Sequence, residues 1–258
     1  MRQADHTEAG RWLARHGLAD AEPTPLLAAR LAVRRRAKAC DSLLLAAFLL
    51  GAALTHAFKL TVEPPSWLPL LVLAALVTGL LVAQWLLGWW VRRVDRRAGA
   101  RLSRRVAHPV ELGWRAVLGR PYALFTVATY TGAVLLAVSV LPVPDATLRY
   151  GAIIVLISLA GVGAGIVMQL RQVLASPAVA DDEASLTADV IMRVEDARAL
   201  VTPSLVWSLP AIFLVGESLG WWNAVSIALV VAGVSALCLI HARTTGVGTA
   251  ARRAMATR

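Results

Sequence analysis

Apolar residues in this chain gather into long blocks instead of alternating with polar ones. Ser42–Phe58, Trp67–Val91, Pro121–Leu141 and Leu148–Leu170 hold almost no charged position, and Ala199–Ile240 holds only Glu217. About 20 consecutive apolar residues span a bilayer as a helix, so each of the first four blocks reads as one crossing. The last block is too long for one helix at about 1.5 Å per residue. Gly216-Glu217-Ser218-Leu219-Gly220 supplies a turn inside it. The pattern therefore predicts an all-α, polytopic integral membrane protein of six transmembrane helices, paired as three hairpins. The spans fall at about 42–58, 67–91, 121–141, 148–170, 199–217 and 221–240 within a transmembrane domain of 41–241.

Punctuation agrees with this division. Glu63-Pro64-Pro65-Ser66 and Pro142-Val143-Pro144-Asp145 break the chain between blocks, because proline cannot continue a helix and restricts the residue before it. Trp85, Trp89, Trp90, Trp221 and Trp222 stand at block ends, where indole rings favour the membrane–water interface. The first apolar block begins only near Asp41, after a polar lead, so it is expected to be a retained helix and not a cleaved signal.

Charge adds a direction. In this layout 24 of the 26 Arg and Lys residues lie in the N-terminal segment 1–40, the loops 92–120 and 171–198, and the tail 242–258, with only Lys59 and Arg149 opposite. Basic residues accumulate on the cytoplasmic side, so both termini are expected there, in a multi-pass protein of the cell membrane. Arginine far exceeds lysine, as in a GC-rich, bacterial coding bias. The net charge of +10 would also fit a nucleic-acid binder. Its placement beside the apolar blocks, with no reader motif, argues for lipid headgroups and against nucleic acid. Only 16% of residues are charged, below the usual quarter of about 25% for a soluble domain. Cys40 and Cys238 offer no disulfide framework.

Three cytoplasmic elements stand out. Residues 25–39 begin with Pro25 and run Leu26, Leu27, Leu31, Val33 before Arg34-Arg35-Arg36 and Lys38, which reads as a basic amphipathic helix leading into the first span. The loop 92–120 is cationic, with a short helix expected after Pro109. Asp181-Asp182-Glu183 opens a third helix, with Leu186, Val190, Ile191 and Val194 at helical spacing. Asp189 and Arg193 are set for an i,i+4 ion pair. That acidic helix is a candidate docking helix, either for this chain's own loops or for a separate cytosolic protein.

Inside the spans polar chemistry is sparse. His56 and Glu217, both near outer helix ends, form a candidate outer polar site. Gly161 and Gly165 make a small-xxx-small face for helix packing, and Pro210 is expected to kink the fifth span. No catalytic, cofactor-binding or metal-binding motif occurs: there is no nucleophile elbow, His-Glu-x-x-His, Walker A or paired CxxC sequence. No cofactor is expected.

In layout, with six spans, cytoplasmic ends, an amphipathic N-terminal helix and cytoplasmic loops able to dock an ATPase, the chain resembles the permeases of exporter-type ATP-binding-cassette systems. The resemblance implies a transporter subunit working as a homodimer or heterodimer with a separate ATPase. Two alternatives accompany it: a regulatory, scaffolding or accessory membrane protein that holds a cytosolic partner, and an integral membrane enzyme acting on lipids.

Overall fold

The computed structural model describes residues 3–62, 65, 67–100, 113–176, 183–202, 204–213, 220–244 and 246–256. Among them the regular elements are helices: α1 (Gln3–Arg15), α2 (Pro25–Val62), α3 (Trp67–Ala100), α4 (Trp114–Val140), α5 (Ala146–Ala175), α6 (Glu183–Leu200), α7 (Ser204–Phe213), α8 (Gly220–Arg243) and α9 (Val247–Ala256). Among the described residues five segments are long and apolar enough to cross a membrane: Pro25–Phe58, Trp67–Arg97, Val117–Val140, Ala146–Ala175 and Trp221–Arg243. Their outer faces leave large side chains bare, with Leu43, Leu124 and Ile157 each two-thirds or more exposed. Water would penalise such surfaces, whereas lipid does not. This is the make-up of a membrane protein.

Two expectations about element boundaries change. The basic segment 25–39 is no separate interfacial helix but the first part of α2, capped by Thr24, whose hydroxyl accepts from Leu27 N at 3.2 Å. At about 1.5 Å per residue, the 38 residues of α2 reach about 57 Å, well beyond a hydrocarbon core of about 30 Å. α3 likewise continues past Val91 to Ala100, so the antiparallel α2–α3 pair projects from the apolar layer together. The second change concerns the expected fifth span, 199–217. There α6 runs to Leu200 and α7 covers ten residues, about 15 Å of helix; residues 214–219 lie outside the described set.

Other boundaries follow local chemistry. α4 is interrupted at Gly119, whose φ of 70° suits glycine, and the apolar run resumes at Pro121, a favoured first-turn residue. Asp145 caps α5 by accepting from Thr147 N at 2.8 Å and Leu148 N at 3.2 Å. α1 ends in a Schellman turn: Gly17 N donates to Ala14 O, and Leu18 N to Leu13 O.

Two cores hold the helices. In the apolar layer, Phe48, Val77, Ala133, Val155, Leu159 and Leu209 join α2, α3, α4, α5 and α7. At one end, which we call the polar end, Trp12, Leu13, Val117, Tyr122, Ile191, Val194 and Ala251 join α1, α4, α6 and α9. The first and last helices thus meet at the same end, where Arg252 donates to His16 O at 3.4 Å.

Candidate functional site

The polar end is organised around α6. Seven successive residues, Ala188 to Val194, are at most 5% exposed, so this helix is buried all round. One face, with Val190, Ile191 and Val194 and with Leu186 at its margin, lies in the polar-end core. The stripe singled out as a docking surface is therefore occupied by α1, α4 and α9 of this same chain. The other face carries Asp189, Arg193 and Asp196, and its carboxylates reach arginines of α2.

There six charges compensate one another. Arg30 of α2 donates from Nε to Asp95 Oδ1 of α3 at 2.9 Å and from Nη2 to Asp189 Oδ1 of α6 at 2.6 Å. Arg34, one turn along α2, grips both Asp95 oxygens at 3.0 and 2.7 Å and Asp196 Oδ2 at 3.0 and 2.9 Å. Arg193 donates to Asp189 Oδ2 at 2.9 Å, the i,i+4 pair its spacing predicts, and to the carbonyl of Ser176 at 2.5 Å. Arg30, Arg34, Asp189 and Arg193 are buried. Buried charges persist only when paired and fully hydrogen-bonded, and three guanidinium groups against three carboxylates meet that condition. The network ties α2 and α3 to α6 across the mouth of the bundle.

Below the network a cleft of about 900 Å³ opens between α2–α3 and α5–α6–α7. Its mouth carries Lys38, Asp41, Arg92 and Arg96, and its deeper wall carries Leu81, Leu205 and Val206. Asp41 accepts from the Gln84 amide at 2.9 Å. Gly161 and Gly165 line this cleft: a Cβ on Gly161 would sit 3.6 Å from Leu81, and one on Gly165 would meet nothing within 4 Å. Gly161 thus lies against α3 and Gly165 widens the cleft, while a close α4–α5 approach falls at Gly163. A Cβ there would stand 2.7 Å from the Tyr130 hydroxyl, which donates to Leu159 O at 2.6 Å.

The remaining candidates sit elsewhere. His56 binds the Ile212 carbonyl through Nε2 at 2.8 Å; a carbonyl only accepts, so that nitrogen carries the proton. His56 thereby fastens α2 to the end of α7, and Glu217 lies outside the described residues. Pro210 is buried inside α7, where its missing N–H frees a carbonyl one turn earlier.

A second electrostatic contact secures α1. His16 stacks on Trp12 at 4.4 Å, donates from Nδ1 to Trp12 O at 2.8 Å, and places Nε2 3.4 Å from Glu195 of α6. The Glu195 bond holds the imidazole above its ordinary range, against the effect of burial. Burial pushes Glu195 upward, yet His16 and the charge of Lys38 outweigh it and hold the carboxyl low.

The sequence reading missed the network because it placed Arg34 in a basic cluster and residues 92–120 in a cationic loop, and singled out neither Arg30 nor Asp95. One signal was present: Asp95 is the lone acid within Arg92-Arg93-Val94-Asp95-Arg96-Arg97. Comparison with protein-family models, curated proteins and solved structures finds no match to this chain.

Proposed function

We propose that the chain is the membrane-embedded subunit of a transporter, with the cleft as its substrate path and the six-charge network as the gate at its cytoplasmic mouth. The cleft carries this reading: it runs from a charged mouth to apolar residues of the crossing helices α3 and α5 and of α7, and ligand sites commonly occupy such concave spaces between bundle helices. In this reading the polar end faces the cytoplasm of the cell membrane, supported by the side on which the basic residues fall. The meeting of α1 and α9 at that end supports an even number of crossings, with α7 belonging to the sixth. A separate ATPase is the energy source the exporter-type layout calls for. The scaffolding alternative loses support, since Val190, Ile191 and Val194 have no exposed surface to offer a partner. The enzyme alternative is weakened by the engagement of His56 with Ile212.

The test is sidedness. With Cys40 and Cys238 replaced by serine, Gly165→Cys in sealed vesicles is treated with a membrane-impermeant maleimide from either face. Labelling from the cytoplasmic face is expected, faster when Asp196→Asn weakens the network. Cross-linking α2 to α6 through Arg34→Cys and Asp196→Cys should move reactivity to the opposite face. Labelling from one face only, in the free, weakened and locked forms alike, would overturn transport.

A further inference from the structure

Building on the transport reading, we propose that the cleft binds an anionic lipid, its headgroup held by Lys38, Arg92 and Arg96 and its acyl chains lying along Leu81, Gly161 and Leu205. The charge inventory of the lining comes first. Six cationic side chains (Arg30, Arg34, Lys38, Arg92, Arg96 and Arg193) face four carboxylates (Asp41, Asp95, Asp189 and Asp196). Asp95, Asp189 and Asp196 are engaged by Arg30, Arg34 and Arg193, and Asp41 by Gln84. Lys38, Arg92 and Arg96 remain, and among the described residues none has an acidic partner within 4 Å. Arg92 and Arg96 stand one turn apart on α3, where like charges repel. An anion placed between them and Lys38 relieves that repulsion.

Depth identifies the anion as a headgroup. Trp85 and Trp89 line the same part of the cleft, and Trp89 carries the Arg93 guanidinium 4.9 Å above its ring. Indole rings and arginines at one level mark the membrane interface, so Arg92, Arg96 and Lys38, whose charge also acts on Glu195, stand where lipid phosphates lie. Gly88 contributes by having no side chain. A Cβ there would fall 2.8 Å from Gln169 Oε1 and 3.0 Å from Arg92 Nη1, so both polar groups reach across the α3 backbone. Deeper in, Gly165 leaves space that no side chain fills, and Gly161 keeps the wall beside Leu81 free of any larger group. A free inorganic anion would leave that apolar wall unused. A zwitterionic headgroup would bring its own cation against the arginines.

Binding of lipid to the purified full chain in detergent, followed by native mass spectrometry, tests the proposal. Dioleoyl phosphatidic acid should bind one to one, at least about tenfold tighter than dioleoyl phosphatidylcholine. Each interfacial cation contributes about fivefold, so Lys38→Gln/Arg92→Gln/Arg96→Gln should weaken phosphatidic acid roughly a hundredfold and leave phosphatidylcholine unchanged. Arg149→Gln, at the far end, should change neither. An unaltered elution profile and thermal transition would show that the triple variant is folded. Should it be misfolded, Gly165→Leu, which fills the apolar end, should weaken the dioleoyl lipid alone. Equal affinity for the two lipids, or wild-type affinity in the folded triple variant, would overturn the proposal. So would inorganic phosphate competing as well as the lipid, which would make the cleft a simple anion site. Lipid binding with one-sided maleimide labelling would remove transport and keep the lipid site; the converse pair of results would remove the lipid and keep transport.

Discussion

Removing the Asp189 carboxylate tests the network at its most buried point. Asp189 is 1% exposed and accepts from Arg30 at 2.6 Å and from Arg193 at 2.9 Å. Asp189→Ala leaves the six-charge set with one excess positive charge. Arg30 keeps Asp95 and Arg193 keeps the Ser176 carbonyl, so neither is wholly stranded, but each loses a full charge partner and the two arginines now repel. A charge pair near 4 Å is worth about 4 kcal/mol at an effective dielectric of about 20, and breaking one side of a buried pair costs about 3–5 kcal/mol. Water in the adjoining cleft favours the lower end, so about 3 kcal/mol is expected. For a chain of this size that lowers Tm by about 6–12 °C, measurable by tryptophan fluorescence on heating in detergent. Replacing the pair by apolar residues of similar volume, Asp189→Leu/Arg193→Met, leaves Arg30 and Arg34 balanced by Asp95 and Asp196 and should restore most of the loss, because desolvation of that pair is then no longer required. If Asp189→Ala melted within about 1 °C of the wild type, the network would not hold α6 to α2, and its role as a gate would fall with it.

Two further outcomes follow from other contacts. Gly233 of α8 lies under the Trp207 ring, and an added Cβ would stand 2.6 Å from Cζ3; Gly233→Ala should cost about 1–3 kcal/mol by overpacking, whereas Gly165→Ala, with open space around it, should melt as the wild type does. Equal melting temperatures for the two variants would refute the packing at Trp207. The His16–Glu195 contact should make stability depend on pH in a bell. The raised histidine contributes fully below its ordinary 6.5 and loses its contribution as pH rises through the raised value; the lowered glutamate contributes above its ordinary 4.5 and loses it as pH falls through the lowered value. The Tm gap between wild type and His16→Gln should therefore be widest between those two values and shrink toward about pH 9; a gap constant with pH would discard the pairing.

Much of the scaffold is readable from the chain because the bilayer imposes one-dimensional rules. Apolar blocks, prolines and the Asp145 cap act locally, so helix existence and several ends follow from neighbours a few residues away. The candidate site is different, because its contacts join residues far apart in sequence. Arg30 and Asp189 are separated by 159 positions, and a cluster of arginines beside a membrane helix looks the same whether it anchors to phosphates or pairs with carboxylates. Periodicity misled in a specific way at α6: an apolar stripe opposite charged positions implies water on the charged side, but that side meets Arg30 and Arg34. Spacing likewise finds small residues without saying what each one faces: Gly161 lies against Leu81 of α3, Gly163 against Tyr130 of α4, and Gly165 against open space. Only Asp189–Arg193 was local enough to be read in advance.

The joining of α1 and α9 over α6 has a consequence for how the protein comes to be made. Helix α6 is synthesised before α7 and α8, yet Ala251 of α9 is part of the core that encloses it. Until α8 has been placed in the membrane and α9 has followed, the apolar face of α6 lacks one of its covers. Assembly of the polar end must therefore wait for the last helices, and closure of the mouth becomes a late checkpoint on correct membrane insertion. In the proposed topology, a chain in which α8 failed to insert would leave α9 on the wrong side of the bilayer, and α6 would lack a cover that the finished protein has.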